Sequence, residues 1–412
     1  LKKPVPSQVN QFRIIPRASG LALLLLILLS TSGSWQGRPR IAQGQISNPI
    51  RFTESLKFEE IDPGIEYGQA SSGHASQDER TGPWLINVLR IDLNRATLRI
   101  VHALDEGVGL ETVSSLATRY RAAAATNGGY FTTTGRFRGE SLGLLMLDRR
   151  LISEPHNDRA EFGLVEAGDK AEIVFGHLKF SGEVSLGHVK HAVQGLNRQP
   201  APDELVVFTP QFHRTTLTNA DGIEVVVRRN RVVSVGDLQG SSAIPVDGFV
   251  VSAVGKAREW LKDKVRKGRS LKFSWRLNPI EPGNDQKWQR ANNILGAGPQ
   301  LIKDGKIAIT NVQEKITPAF VNDGHPRTAI AKLASGKILL ITIDGRLPGE
   351  SIGMSLTTLA DLLLELGAVE AINLDGGGST TMVIHNKIVN RPSDQTGERP
   401  VSDAILVFPK PN

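Results

Sequence analysis

The chain has 412 residues, enough for a large core, and a formal net charge of +7. Six basic residues (Lys2, Lys3, Arg13, Arg17, Arg38 and Arg40) fall in an acid-free stretch at 1–44; subtracting them leaves +1, too little for a nucleic-acid footprint. The absence of cysteine excludes thiol nucleophiles, disulfide frameworks and Cys-ligated zinc.

Lys2, Lys3, Arg13 and Arg17 precede the apolar run LALLLLILLS at 21–30, short for a bilayer span and of the length of a signal-peptide core. Ala42-x-Gly44 offers a weak cleavage site. Residues 1–50 are therefore expected to be a signal peptide or an uncleaved N-terminal anchor with its linker. The expected location is exported, periplasmic or extracellular, with a membrane tether where the segment is retained. Residues 51–80 read as a polar linker with a first strand, and 81–409 as the main domain.

WLINVLRIDL (84–93) and ATLRIVHAL (96–104) predict a hairpin or adjacent strands. TVSSLATRYR (112–121) predicts a short helix with Val113, Leu116, Ala117 and Tyr120 on one face. It leads into AAAATNGGYF, a small-residue strand closed by Asn-Gly-Gly. From 160 to 275, short branched runs such as ELVVFTP and GIEVVVRRNRVVSVG predict an antiparallel β-layer. KAREWLKDKVRKG (256–268) predicts one helix within it, with Trp260, Leu261 and Val265 at helical spacing and Gly268 past its end.

The last third reads as strand, helix, strand. GKILLITID (336–344) ends in Asp344. SLTTLADLLLELG (355–367) is a helix with Leu356, Leu359, Leu363 and Leu366 on its apolar side. VEAINLD (369–375) ends in Asp375. Such a unit predicts two parallel neighbouring strands with both aspartates at the carboxyl edge, where ligands bind in α/β sheets. The expected fold class is α+β or mixed α/β, with strand-rich layers, this C-terminal unit, and catalytic loops converging on one cleft.

Chemistry concentrates in four loops. In LDGGGSTT, Gly376, Gly377 and Gly378 would let the backbone approach a ligand, their amides would cradle an oxyanion, and Ser379, Thr380 and Thr381 would add hydroxyls; the alternative is a tight turn needing positive φ. No Gly-Lys-Ser/Thr follows, so it is not a Walker loop. In TNGGYF, Asn127 could bond a substrate hydroxyl and Tyr130 could stack on a sugar; taken alone, Asn127-Gly128-Gly129 is a plain hairpin turn. GHPRTAI carries His325, Arg327 and Thr328, with Arg327 suited to phosphate or carboxylate, or to a surface ion pair. GERPVSDA sets Glu398 and Arg399 in a turn as a second acid and a second phosphate ligand, or as an intraloop ion pair. His188 and His191 are not placed on one face of a strand and read as structural.

In order along the chain, NGGYF, GAGPQLIKDGK, RTAIA, ITIDGR, NLDGGGSTTMV and GERPVSDA resemble the phosphodiester glycosidase family, also described in bacteria as related to exopolysaccharide biosynthesis. The resemblance runs from about residue 63 to 409. It implies hydrolysis of the bond between a sugar anomeric carbon and a phosphodiester, with Asp375 as the first-choice catalytic carboxylate and Asp344 or Glu398 handling water or a proton. Arg327 and the glycine amides would stabilise the departing phosphate. Asn127, Gly128, Gly129, Thr328, Arg346, Asn373, Gly376, Gly377, Gly378, Ser379, Thr380 and Arg399 carry over as site residues. The implied substrate is an envelope or extracellular glycan. No cofactor is required, a bound Ca or Mg ion is left open, and no nucleic-acid partner is expected. Ala331 and the stretch RFRGESLG (136–143) depart from the family pattern, and the second bears on the substrate rim. Two other readings compete: a non-catalytic binder of carbohydrate or anionic polymer, and a phosphodiesterase with Asp344, Asn373 and Asp375 as oxygen ligands of Mg²⁺ or Ca²⁺.

Overall fold

The computed structural model describes residues 56–72, 82–167 and 170–411. The reading of 1–50 as an export segment lies outside them. Among the described residues, no helix is long and apolar enough to cross a membrane.

The architecture is strand-rich, with four sheets and few helices. An eight-stranded antiparallel sheet has the order Lys57–Asp62, Ile65–Ser72, Trp84–Ile91, Ile338–Ile343, Arg327–Leu333, Ala368–Asn373, Gln300–Lys303, Lys306–Ile307. Its first two strands form a hairpin inside the stretch read as a polar linker. All six residues of Ile338–Ile343 are buried, as the unbroken apolar run of a central strand requires.

Helix Leu356–Glu365 packs Leu356, Leu359, Ala360, Leu362 and Leu363 against this sheet. The Ser355 side chain caps it by accepting from the Thr358 N–H at 3.1 Å, and Gly367 leaves it at φ +87°. The two strands it joins run parallel but are not neighbours. Arg327–Leu333 lies between them, antiparallel to both. That strand therefore begins at the edge where the other two end, bringing residue 327 to the same edge as 344 and 375.

A second sheet has the order Lys387–Ile388, Met382–Ile384, Ala124–Asn127, Asp403–Pro409, Ala96–His102. The expected pairing of Trp84–Ile91 with Ala96–His102 is thus wrong. The Ala96 N–H bonds the Asp92 carbonyl at 2.8 Å, closing a tight turn that delivers the chain into a different sheet. Helix Val113–Tyr120 covers this sheet with Val113, Leu116 and Ala117. Asn-Gly-Gly is not a hairpin turn either. Ala124–Asn127 pairs with Met382–Ile384 and Asp403–Pro409, both distant in sequence.

The 145–296 region forms a seven-stranded sheet and a five-stranded one, with one shared apolar core. Helix Gly255–Lys264 buries Ala257 and Leu261 there. It ends at Val265, whose extended φ/ψ of −93°/135° breaks the helix before Gly268. Gly268 instead donates its N–H to the Val232 carbonyl at 2.8 Å, fixing the loop against a neighbouring strand.

Candidate active site

A pocket of about 250 Å³ lies at the edge where 327, 344 and 375 emerge. Gly376, Gly377 and Gly378 form one wall, and Phe320, His325 and Pro326 another. Arg327, Arg346, Arg399 and Asp375 supply its charges. Asp375 is the sole carboxylate among the described residues that line it.

Asp375 is half-buried, and burial pushes its carboxyl up to about 6. The Ser379 hydroxyl, the Gly376 N–H and the Arg399 guanidinium pull the other way, while the Asp403 charge adds to the rise. The carboxylate accepts from the Gly376 N–H at 2.9 Å. Its backbone is clamped from behind. Asn127 Nδ2 donates to the Asp375 carbonyl at 2.7 Å, and the Asp375 N–H donates to the Gly128 carbonyl at 3.0 Å.

The glycine turn is not an open oxyanion cradle. The Gly376 N–H is taken by Asp375, and the Gly377 N–H donates to the Pro326 carbonyl at 2.8 Å. The glycines serve close packing as well. A Cβ on Gly376 would stand 2.6 Å from the Pro326 carbonyl oxygen. Gly378 lies under the Asp394–Arg399 pair, in which Arg399 Nε and Nη2 donate to the two Asp394 oxygens at 2.7 and 2.9 Å.

The arginines differ. Arg327 is only 1% exposed and is tied to the main chain. Its Nε donates to the Met354 carbonyl at 2.8 Å, and its Nη2 to those of Phe320 and Asp323 at 2.7 and 2.9 Å. Burial pulls its guanidinium down to about 10, still charged at neutral pH. With most of its donors committed to carbonyls, it builds the wall more than it grips a phosphate. Arg346 is exposed, with one long bond to Ser393 Oγ at 3.4 Å and no ion pair among the described residues, so its donors are the most available.

Several expected site residues stand behind the pocket. Asn127 Oδ1 accepts from Thr328 Oγ1 at 2.8 Å and from the Thr381 N–H at 3.2 Å, so this buried side chain wires strand 327–333 to the loop. Asn373 Nδ2 donates to Tyr130 Oη at 2.8 Å and to the Gly298 carbonyl at 3.1 Å. Tyr130 Oη in turn donates to Gly298 at 2.8 Å, and Arg159 covers its ring at 4.6 Å. That ring is therefore a structural prop, not a sugar platform. Gly128 and Gly129 approach the Asp403 carboxylate, which accepts from the Gly129 N–H at 2.6 Å. Ser379 and Thr380 are buried, and their hydroxyls lack formed hydrogen bonds among the described residues; Ser379 lies near Asp375 without reaching that geometry.

Two acids expected to be catalytic stand outside the lining of this pocket. Asp344 does not line the pocket. Its oxygens accept from Asn390 Nδ2 and the Arg391 N–H, both at 3.1 Å, and burial pushes it up to about 6. Asn390 also donates to the Thr380 carbonyl at 3.0 Å and accepts from the Met382 N–H at 2.7 Å, so Asp344 braces the far end of the glycine loop. Glu398 accepts from the Ser114 N–H at 2.8 Å and from the Ser114 hydroxyl, capping helix Val113–Tyr120 from a distant part of the chain. Of the oxygen set of the metal reading, Asp375 lines the pocket while Asp344 and Asn373 do not, and Asn373 Oδ1 has no hydrogen-bond partner among the described residues.

The sequence reading missed Phe320, whose half-buried ring lines the pocket with Arg327 at 4.8 Å from its centroid. It also missed Asp403, fully buried beside Ser402 and Gly129, although GERPVSDA contains it. A buried aspartate in an otherwise apolar strand, SDAILVF, was the available signal.

A family model described as phosphodiester glycosidase matches residues 221–408. Over 75 residues the chain is 41% identical to the Bos taurus N-acetylglucosamine-1-phosphodiester alpha-N-acetylglucosaminidase, covering 18% of this chain and 14% of that protein. The first curated relatives are matched over less than a fifth of their own length. A crystal structure from Synechocystis superposes with a TM-score of 0.73 at 26% identity, covering 86% of this chain and 64% of the other. One from Burkholderia pseudomallei K96243 gives 0.74 at 25% identity, covering 86% and 96%. The 221–408 match spans the loops that carry His325, Arg327, Asp375 and Arg399, so this part of the chain is similar to the phosphodiester glycosidase family.

Proposed function

We propose that the chain hydrolyses the bond between a sugar anomeric carbon and a phosphodiester. One observation carries this reading: Asp375, pushed up to about 6, shares a small pocket with Arg346, Arg399 and Arg327. Cleavage at the anomeric carbon develops positive charge on the sugar and negative charge on the leaving group. A carboxylate beside guanidinium groups matches that separation of charge. A phosphodiester is a good leaving group as an anion and needs little protonation, which agrees with a pocket holding one carboxylate. Asp375 would stabilise the sugar cation or attack it, while Arg346 and Arg399 hold the phosphate. A carboxyl with a value near 6 is also able to take a proton from water near neutral pH.

The test is turnover of sugar-1-phosphodiesters in ¹⁸O-water. Label in the released sugar supports the reading; label in the phosphate assigns P–O cleavage and overturns it. Asp375→Asn should lose turnover by at least about a thousandfold while still binding the substrate. Near-normal turnover in that variant would remove Asp375 from the chemistry, and no turnover by the unaltered chain across the panel would favour a binding protein. We extend the proposal to an exported enzyme acting on an envelope or extracellular glycan, supported by the charge and apolar pattern of residues 1–50. A periplasmic reporter fused after residue 50 checks the export step.

A further inference from the structure

We infer that a second, larger cavity binds a segment of acidic glycan. It measures about 660 Å³, within the size range of small-molecule sites, and shares no lining residue with the pocket around Asp375. Strand Ala96–His102, the end of helix Val113–Tyr120, strand Arg150–Ser153 and the 210–214 loop meet around it.

The ligand class follows from two features of this cavity, independently of the activity proposed for the smaller pocket. First, Arg99, Arg150 and Arg214 are exposed on the rim and make no ion pair among the described residues. Asp105 is already engaged by Arg119 and Tyr120, leaving Glu106 and Asp148 as the rim's other acids. Unpaired guanidinium groups call for carboxylate or phosphate substituents. Second, the rim also carries Val246, 88% exposed, which suits the apolar face of a sugar ring. A nucleotide base fits less well. The Tyr120 ring is already covered by Arg99 at 4.8 Å, and Phe212 is buried.

The experiment is calorimetric titration of the full chain with an oligogalacturonate hexamer and, as its neutral counterpart, maltohexaose. The acidic oligomer should bind more tightly than the neutral one. Arg150→Ala with Arg214→Ala should weaken it by at least about tenfold. Val246→Asp, which puts a carboxylate on the exposed rim, should weaken it as well, so the result does not depend on one variant folding. Asp375→Asn should bind it unchanged. Absence of binding at millimolar concentration, equal affinity for the two oligomers, equal affinity in the rim variants, or loss of binding in Asp375→Asn would each overturn the inference.

Discussion

Asn127 and Asp375 hold each other across a sequence separation of 248 residues. The Asn127 amide donates to the Asp375 carbonyl at 2.7 Å, and the residue after Asn127 accepts the Asp375 N–H at 3.0 Å. Asn127 is fully buried, so no water replaces these bonds when the side chain is removed. Asn127→Ala should cost about 2–4 kcal/mol in urea denaturation, since it leaves several buried polar groups unpaired. Turnover should fall with it even at temperatures where the variant is folded, because the loop loses its brace.

Asp375 also sets a pH dependence. Its carboxyl rises from an ordinary 3.8 to about 6 in the fold, so the folded protein holds the proton more tightly than the unfolded chain. This contribution to stability is fully present below about 4 and is lost as pH rises through about 6. Asp375→Asn should therefore be more stable than the parent at pH 7, by about 1–2 kcal/mol, and its stability should vary less between pH 4 and 7. In the parent, kcat/KM should fall below a pH of about 6 as the working carboxylate takes up its proton. Thermal melts and rate profiles over this range check both signs.

Two neighbouring glycines should respond differently to alanine. A Cβ at Gly376 meets the Pro326 carbonyl oxygen at 2.6 Å, a main-chain atom with nowhere to go. At Gly378 it meets the Asp394 and Arg399 side-chain ends, at 2.1 and 2.2 Å, and those can swing away. Gly376→Ala should lower Tm substantially. Gly378→Ala should lower it little but raise KM, since Arg399 is displaced from the pocket. A larger loss of stability at Gly378 than at Gly376 would contradict the geometry.

Glu398 serves a helix end. Glu398→Gln should cost about 1 kcal/mol in stability through the weakened cap of helix Val113–Tyr120, with kcat unchanged in the folded protein. A large drop in kcat with no change in Tm would return Glu398 to the chemistry.

The sequence disclosed local periodicity well. Helix Leu356–Glu365 and the buried strand Ile338–Ile343 follow from side-chain spacing that the fold keeps. It disclosed strand order poorly. Nothing in residues 336–375 shows that Arg327–Leu333 is inserted between their two strands, because pairing partners are chosen by the three-dimensional core. The carboxylates divide the same way. Asp344, Asp375 and Glu398 look equivalent as letters beside glycines. What separates them is the group opposite each: Asn390 for Asp344, Ser114 for Glu398, and the pocket for Asp375. The convergence of His325, Arg327, Arg346 and Arg399 on one hollow came from motif order along the chain. The supporting duties of Asn127, Tyr130 and Asn373 needed their partners to be seen.

The anchoring of Arg327 to the Phe320, Asp323 and Met354 carbonyls has a mechanical result. One inflexible cation staples two separate stretches of main chain, so the side of the hollow bearing Phe320, His325 and Pro326 behaves as a solid panel instead of a hinged flap. Under the proposed activity, selection among sugars there would work as a gauge of fixed width, admitting rings by size before any chemistry begins. Adjustment is left to Arg346, which is exposed and lines the same hollow.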